Sequence, residues 1–347
     1  MKFGPVATEQ ADGALLAHAL TVGNSRFKKG RVLTTEDVAA ILAAGYPTVT
    51  VARLDPDDVV ENLAAHRIAR ALLHDAKDTL FAAEPFTGRV NIYAKQAGLF
   101  KADAALVDQL NRIDPSITFA TLSDDTFVET GRMVATVKII PFAVARAALE
   151  VAQALCGFEN LVVLHRVGIS HVAHVSTELP TLKSSVMDKT RGTLQARLDL
   201  LGCTLDTEQR VPHTVEALAS ALRAVEPEAD LIIIFGASAI TDRADVLPAA
   251  LEAAGGTVHQ LGMPVDPGNL LLVGEHDGRP VIGAPGCARS PAENGFDWVL
   301  HRLACGVRVD PDYVTSLGVG GLLMEITSRP QPREATQASA AGDADDG

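Results

Sequence analysis

Short apolar runs alternate with stretches of helical period along the second half of the chain, with glycine, proline and small polar residues between them. LVVLHRV (161–167) and HVAHVS (171–176) read as strands. Ser184 to Leu201 reads as a helix stopped by Gly202. TLDTEQRV (204–211) reads as a strand and Thr214 to Val225 as a helix. Leu231 to Phe235 is a buried strand that stops at Gly236 and opens, through Ala237, Ser238, Thr241 and Asp242, onto a helix near Asp245. That helix carries Pro248 in its first turn and ends at Gly255-Gly256. TVHQLGM extends, and NLLLVG and RPVIGAP flank Asp277-Gly278, a type I′ hairpin signal. Ser290-Pro291-Ala292-Glu293 predicts a capped helix that Gly306 ends. Such alternation implies an α/β fold, a mostly parallel sheet with helices on both faces.

The first half is less regular. Thr34 and Asp37 predict a capping box for a helix through Val38, Ile41 and Leu42 to Gly45, followed by the strand TVTVARL. The acidic run Asp55 to Asp58 predicts a solvated helix start. Further on come the strands GRVNIYAK, ITFATL and MVATVKII and the helices 104–113 and ARAALEVAQAL; Asp124 and Asp125 read as a turn. The expected organisation is an α/β segment at 1–75, an α+β domain at 76–155 and an α/β domain at 156–307. A polar stretch at 325–347 reads as a disordered tail or linker to a further domain.

Length and charge narrow the classes. A chain of 347 residues suggests two or three domains. A net charge of −13 argues against non-specific binding to nucleic acid or to an anionic membrane. No apolar run is long enough to cross a bilayer and no signal segment is visible, so a cytoplasmic protein is the expectation. Cys156, Cys203 and Cys305 read as buried thiols, while Cys287 sits in a Gly/Pro loop.

Four loops should meet at the carboxyl edge of the sheet, where open α/β folds collect ligands. They are Val175–Leu179, Val186–Gly192, Gly236–Asp245 and Gly283–Ser290. The last offers backbone N–H groups, a helix start and the Arg289 guanidinium, which suit a phosphate. Ser176 and Thr177 offer hydroxyls, and Asp242 and Asp245 suit a metal or a polar ligand. Asp188 reads as a surface ion pair with Arg191. His165, His171 and His174 do not form a metal triad and read as structural or exposed. No GxSxG, HExxH or Walker A pattern occurs.

In order and spacing, these stretches resemble the molybdopterin-binding domain of the gephyrin-type molybdopterin molybdenumtransferases. Ser176-Thr177-Glu178-Leu179 stands where that family has STGDEL. VMDKTRGTLQARLDLLGC is similar to its DSN helix start, through Asp188 and Thr190. IIIFGASAITDRAD resembles TTGGxSxGxxD, with Gly236 and Ser238 retained and Asp245 matching the functional aspartate. Asp266-Pro267-Gly268-Asn269 stands for KPGKP with both lysines lost, and Ala284-Pro285-Gly286-Cys287-Ala288-Arg289-Ser290 for LPGNPVS. Residues 28–51 resemble the segment before that domain, but the N-terminal half has no SAMDGYA-like stretch.

The resemblance implies a three-layer molybdopterin-binding domain with an N-terminal α+β region. Molybdopterin is the implied ligand or substrate, bound by Ser176, Thr177, Glu178, Asp188, Thr190, Gly236, Ser238, Pro285, Gly286, Arg289 and Ser290. Asp242 and Asp245 would be the catalytic carboxylates and would hold a hydrated magnesium ion. The implied role is molybdenum-cofactor biosynthesis, with molybdenum insertion as the enzymatic form. A non-catalytic carrier or sensor serving molybdoenzymes, and an adenylyltransferase-like enzyme, stand beside it. A homodimer is the implied assembly.

Overall fold

The computed structural model describes residues 1–206 and 208–323. The tail expected at 325–347 lies outside them. The chain divides into two compact units, residues 1–168 and 169 onward.

In the first unit, Lys2–Ala7 pairs antiparallel with Thr48–Arg53, whose other edge takes Leu15–Leu16. The helix Thr35–Ala43 starts in the capping box that Thr34 and Asp37 announce. Arg31 grips Asp37 through two bonds of 2.8 Å and holds its carboxyl below the usual carboxylate range. A four-stranded antiparallel sheet follows, in the order 117–121, 133–139, 89–94, 80–82. The helices Glu61–Leu72 and Arg146–Phe158 supply Ile68, Leu72, Leu149 and Ala152 to its core.

Two local expectations differ from the structure. The acidic run at Asp55–Asp58 does not start a helix. Asp58–Val60 is a strand paired with Ala143–Ala145, and the helix begins at Glu61. The Asp55 and Asp58 carboxylates instead receive the amino terminus, at 2.6 and 2.8 Å. The strand Val162–Arg166 does not join the C-terminal sheet; it pairs antiparallel with Gly98–Ala102 in the first unit. His165 and His171 therefore lie on separate strands of separate units. Asp124 and Asp125 do form a turn, with both carboxylates on Lys101.

The second unit is the expected α/β fold. Its elements are β1 (His171–Glu178), α1 (Ser184–Leu201), β2 (Thr204–Leu205), β3 (Gln209–Pro212), α2 (Val215–Arg223) and β4 (Leu231–Phe235). Then come α3 (Val246–Ala253), β5 (Thr257–Leu261), β6 (Leu272–His276), β7 (Arg279–Ala284), α4 (Gly295–Ala304) and α5 (Pro311–Ser316). The sheet order is β2-β1-β4-β7-β6-β5, with β3 beside β1. All pairs from β2 and β3 through β7 are parallel; only β6 runs the other way. One face packs Ile232 and Ile234 against α2 and α3 through Leu218, Leu222, Leu247 and Leu251. On the other, Phe235 meets Phe296 of α4 at 6.2 Å. Gly202 ends α1 at φ +69°, and Asp277-Gly278 turns with φ +51° and +73°, as a type I′ turn requires.

The predicted helix start at Ser290 is displaced. Gly286–Arg289 forms a single 3₁₀ turn, and α4 begins at Gly295 under Asn294. Asn294 and Asp297 make the capping box that Ser290 and Glu293 were expected to make. Asp297 wins because its carboxylate also meets a buried arginine, described next.

Candidate functional site

Because β1, β3, β4 and β7 run the same way, the loops that leave them gather at one edge. Strand alternation then sorts the side chains of β1. His174 and Ser176 face the α1 side and Thr177 faces the other.

The loop after β7 is built by α1. Arg197, buried two turns beyond Thr190, donates to Ala288 O at 2.9 Å, to Ser290 O at 2.8 Å and to Asp297 Oδ1 at 2.6 Å. The guanidinium also lies over Phe296. This arginine holds Pro285 to Ser290 in place. Ser290 Oγ accepts Ala292 N–H at 3.3 Å rather than capping a helix.

Arg289 projects from that loop to the centre of the edge. It donates to Thr190 Oγ1 and to Gly236 O, each at 2.8 Å, and lies over Phe235, 5.5 Å from the ring centroid. Thr190 passes its own proton to Val186 O at 2.8 Å, so it acts on a ligand only through Arg289. Among the described residues no carboxylate pairs with Arg289. Burial alone pulls its pKa below the usual arginine value. A half-buried guanidinium with neutral partners on one side is a ready site for an oxyanion.

The loop after β4 is tied to β1 by Thr177. Its fully buried hydroxyl accepts Ala237 N–H at 2.8 Å and shares a second hydrogen bond with His213 Nδ1, also at 2.8 Å. Gly236 is required where it stands, since a Cβ would meet Ser238 O at 2.8 Å. Ser238 is exposed, and Glu178 ends β1 with its side chain in solvent and its carbonyl on His213 N–H.

The carboxylates of this loop serve the loop itself. Asp242 accepts Ala244 N–H at 2.7 Å. Asp245 caps α3 through Val246 N–H at 2.8 Å and takes Thr241 N–H at 3.1 Å. Burial pushes the Asp245 carboxyl up, but the N–H groups of Thr241 and Val246, with His213 nearby, hold it below the usual range. Among the described residues no three His, Cys, Asp or Glu side chains cluster as a metal site. The pair does not by itself make a fitting set of ligands for a resident cation.

Asp188 does not pair with Arg191. Its partner is Arg210, at 2.7 Å, and Arg210 also holds Glu208 at 2.7 Å. Arg191 stays half-buried beside this group. His174 is only 1% exposed; Ser176 Oγ lies 3.0 Å from its Nε2, so that hydroxyl is turned to the ring and not outward. Burial, with Arg191, Arg210 and Arg289 around it, pulls His174 down to about 4.

Sequence reasoning therefore missed Arg197, His213, Glu208 and Arg210, and undervalued His174. One signal was readable: Arg197 follows Thr190 by seven residues and so shares its helix face. His213 and Glu208 had none, because their roles depend on where β3 lies beside β1.

Residues 171–304 match the model of a family described as a probable molybdopterin binding domain, and residues 5–53 match a domain of unknown function. No curated protein matches the chain. Among solved structures, a molybdopterin biosynthesis MoeA protein from Pyrococcus horikosii aligns over 88% of this chain and 75% of its own, at 13% identity and a TM-score of 0.31. A molybdenum cofactor biosynthesis protein B covers 40% of this chain and 87% of its own, at 18% identity and a TM-score of 0.27. A molybdenum cofactor biosynthesis protein from Pyrococcus furiosus covers 89% and 66%, at 13% identity and a TM-score of 0.25. Overlaps this loose add nothing to the site; the family match of residues 171–304 stands on its own.

Proposed function

We propose that the second unit binds molybdopterin, free or in its adenylylated or molybdenum-bearing form, as a step of molybdenum-cofactor biosynthesis. The family match of residues 171–304 supports the ligand class. The observation that carries the reading is Arg289, a half-buried guanidinium fixed by Thr190 and Gly236, with no carboxylate among the described residues to neutralise it. The ligand's phosphate supplies that charge, with Arg191 beside it. Arg197 sets the loop that presents Arg289.

A carrier is favoured over molybdenum insertion. The two carboxylates that insertion would draw on, Asp242 and Asp245, already accept N–H groups of their own loop.

Titration with molybdopterin tests it. The Arg289→Ala variant should lose tenfold to a hundredfold in affinity, the scale of about 1.5–3 kcal/mol for a hydrogen-bonded charge. Arg289→Lys should recover part of that, since a point charge replaces a fork. Equal affinity in all three proteins removes the site. Turnover of adenylylated molybdopterin with molybdate would establish insertion and displace the carrier reading. Turnover unchanged in Asp245→Ala would take that carboxylate out of the chemistry.

A further inference from the structure

The buried group behind the anion site is not explained by ligand contact. His174 Nε2 faces Ser176 Oγ at 3.0 Å and Glu208 Oε1 at 4.0 Å. Both Arg210 bonds to Glu208 fall on Oε2. Glu208 Oε1 and His174 Nδ1 are left buried without a hydrogen-bond partner. Each of these two atoms carries the cost of burial without a partner, although the His174 ring and the Glu208 carboxylate lie side by side.

We propose that, in acidic solution, the His174–Glu208 pair takes up a proton when a doubly charged oxyanion occupies the site at Arg289. The proposal rests on the anion-site reading above and adds a protonation partner to it.

The geometry makes the coupling direct. His174 packs edge-on against Phe235 with 5.5 Å between ring centroids, and the Arg289 guanidinium lies 5.5 Å from the same ring. Both groups pack on the same apolar ring, so the field of one is felt at the other. The charged groups facing His174 come from every element around it: Glu208 and Arg210 beside β1, Arg191 on α1, and Arg289 from the loop after β7. Asp188 of α1 acts through Arg210. Three cations oppose the imidazolium and one carboxylate favours it.

A bound dianion offsets the guanidinium charges. At roughly 10 Å and an effective dielectric near 20, one unit of charge moves a pKa by about one unit. His174 is neutral in the free protein at neutral pH, since it sits at about 4. Occupancy raises that value, so in acidic solution, near the free-state value, protons bind with the anion. Affinity should therefore rise as pH falls toward the free-state value, by up to about tenfold for a one-unit shift.

The test uses sulfate, a dianion with no titrating proton over this range, on the full chain. The His174 ring is followed by NMR through a pH titration, its resonance assigned by loss in His174→Gln. Sulfate should raise the His174 pKa in the wild type by about one unit. Arg289→Gln should raise it without sulfate, because a cation is removed, and sulfate should then add little. Glu208→Gln should lower it. Sulfate that perturbs the Arg289 Nε resonance and leaves His174 unmoved would overturn the proposal while the anion site stood. Sulfate that perturbs neither would overturn the anion site and the linkage with it. Since His174→Gln serves only for assignment, its folding does not decide the outcome.

Discussion

Two loops leave the same sheet edge and are built in opposite ways. The loop after β7 is held from outside, by Arg197 reaching across from α1 to two of its carbonyls and to Asp297. The loop after β4 is held mostly from within, by Asp242 and Asp245 accepting its own N–H groups, with Thr177 as its tether to β1. The externally held loop carries Arg289, the group with an unmet charge. The self-held loop carries the carboxylates with met hydrogen bonds. A side chain positioned by another element is left free to face a ligand, whereas one that builds its own loop is engaged before any ligand arrives.

Substitutions can break this contrast, beginning with the strongest. Arg197→Ala strands Asp297, a buried carboxylate, and removes donors from Ala288 O and Ser290 O. It should cost about 3–5 kcal/mol. Trp298, the single tryptophan of the chain, sits in α4 next to Asp297, so its fluorescence during urea unfolding reports this unit. A loss below about 1 kcal/mol would mean that the loop is not held by Arg197.

Gly236→Ala is the next largest. The added methyl meets Ser238 O at 2.8 Å and Leu247 at 3.1 Å. The loop or α3 must shift, at about 1–3 kcal/mol, with a matching loss in ligand affinity because Arg289 leans on Gly236 O. Wild-type stability together with unchanged affinity would show that the first turn of this loop is not constrained.

Asp245→Asn should cost about 1 kcal/mol or less at pH 7, as a change of helix cap. The Asp245 carboxyl is depressed in the folded state. Its contribution is therefore fully present above the unfolded value of about 3.9 and fades as pH falls through the lower folded value. Unfolding curves of the two proteins should converge on acidification from pH 5 toward 3. A gap that stayed constant would show that the carboxyl's charge is not what stabilises the loop.

Thr190→Val is the mildest and the sharpest. It removes one of the two acceptors that aim Arg289 while leaving its charge intact. Stability should move by about 1 kcal/mol and molybdopterin affinity by a few-fold. An effect as large as that of Arg289→Ala would mean that Thr190 meets the ligand itself.

Much of the second unit could be read directly from the chain. The order of strands and helices from His171 to Ala304, the stop at Gly202 and the turn at Asp277-Gly278 all follow from local pattern. The exception near Ser290 is instructive. Ser290-Pro291-Ala292-Glu293 satisfies the local rule for a helix start as well as Asn294 to Asp297 does. The choice went to the site whose acid also neutralises Arg197. In the first unit, the Asp55–Asp58 run failed for a similar reason, since the chain's amino terminus and a strand partner claimed it.

Period and punctuation in the sequence determined the α/β grammar of the second unit and the edge at which its loops gather. They could do so because helix and strand formation answer to spacings of two to four residues. Tertiary structure alone decided which side chains at that edge are engaged. Thr177 finds His213, Arg197 finds Asp297 a hundred residues away, and Glu208 comes to rest beside His174. Those partnerships depend on strand order and helix packing, and no local pattern records which distant charge a buried group will meet.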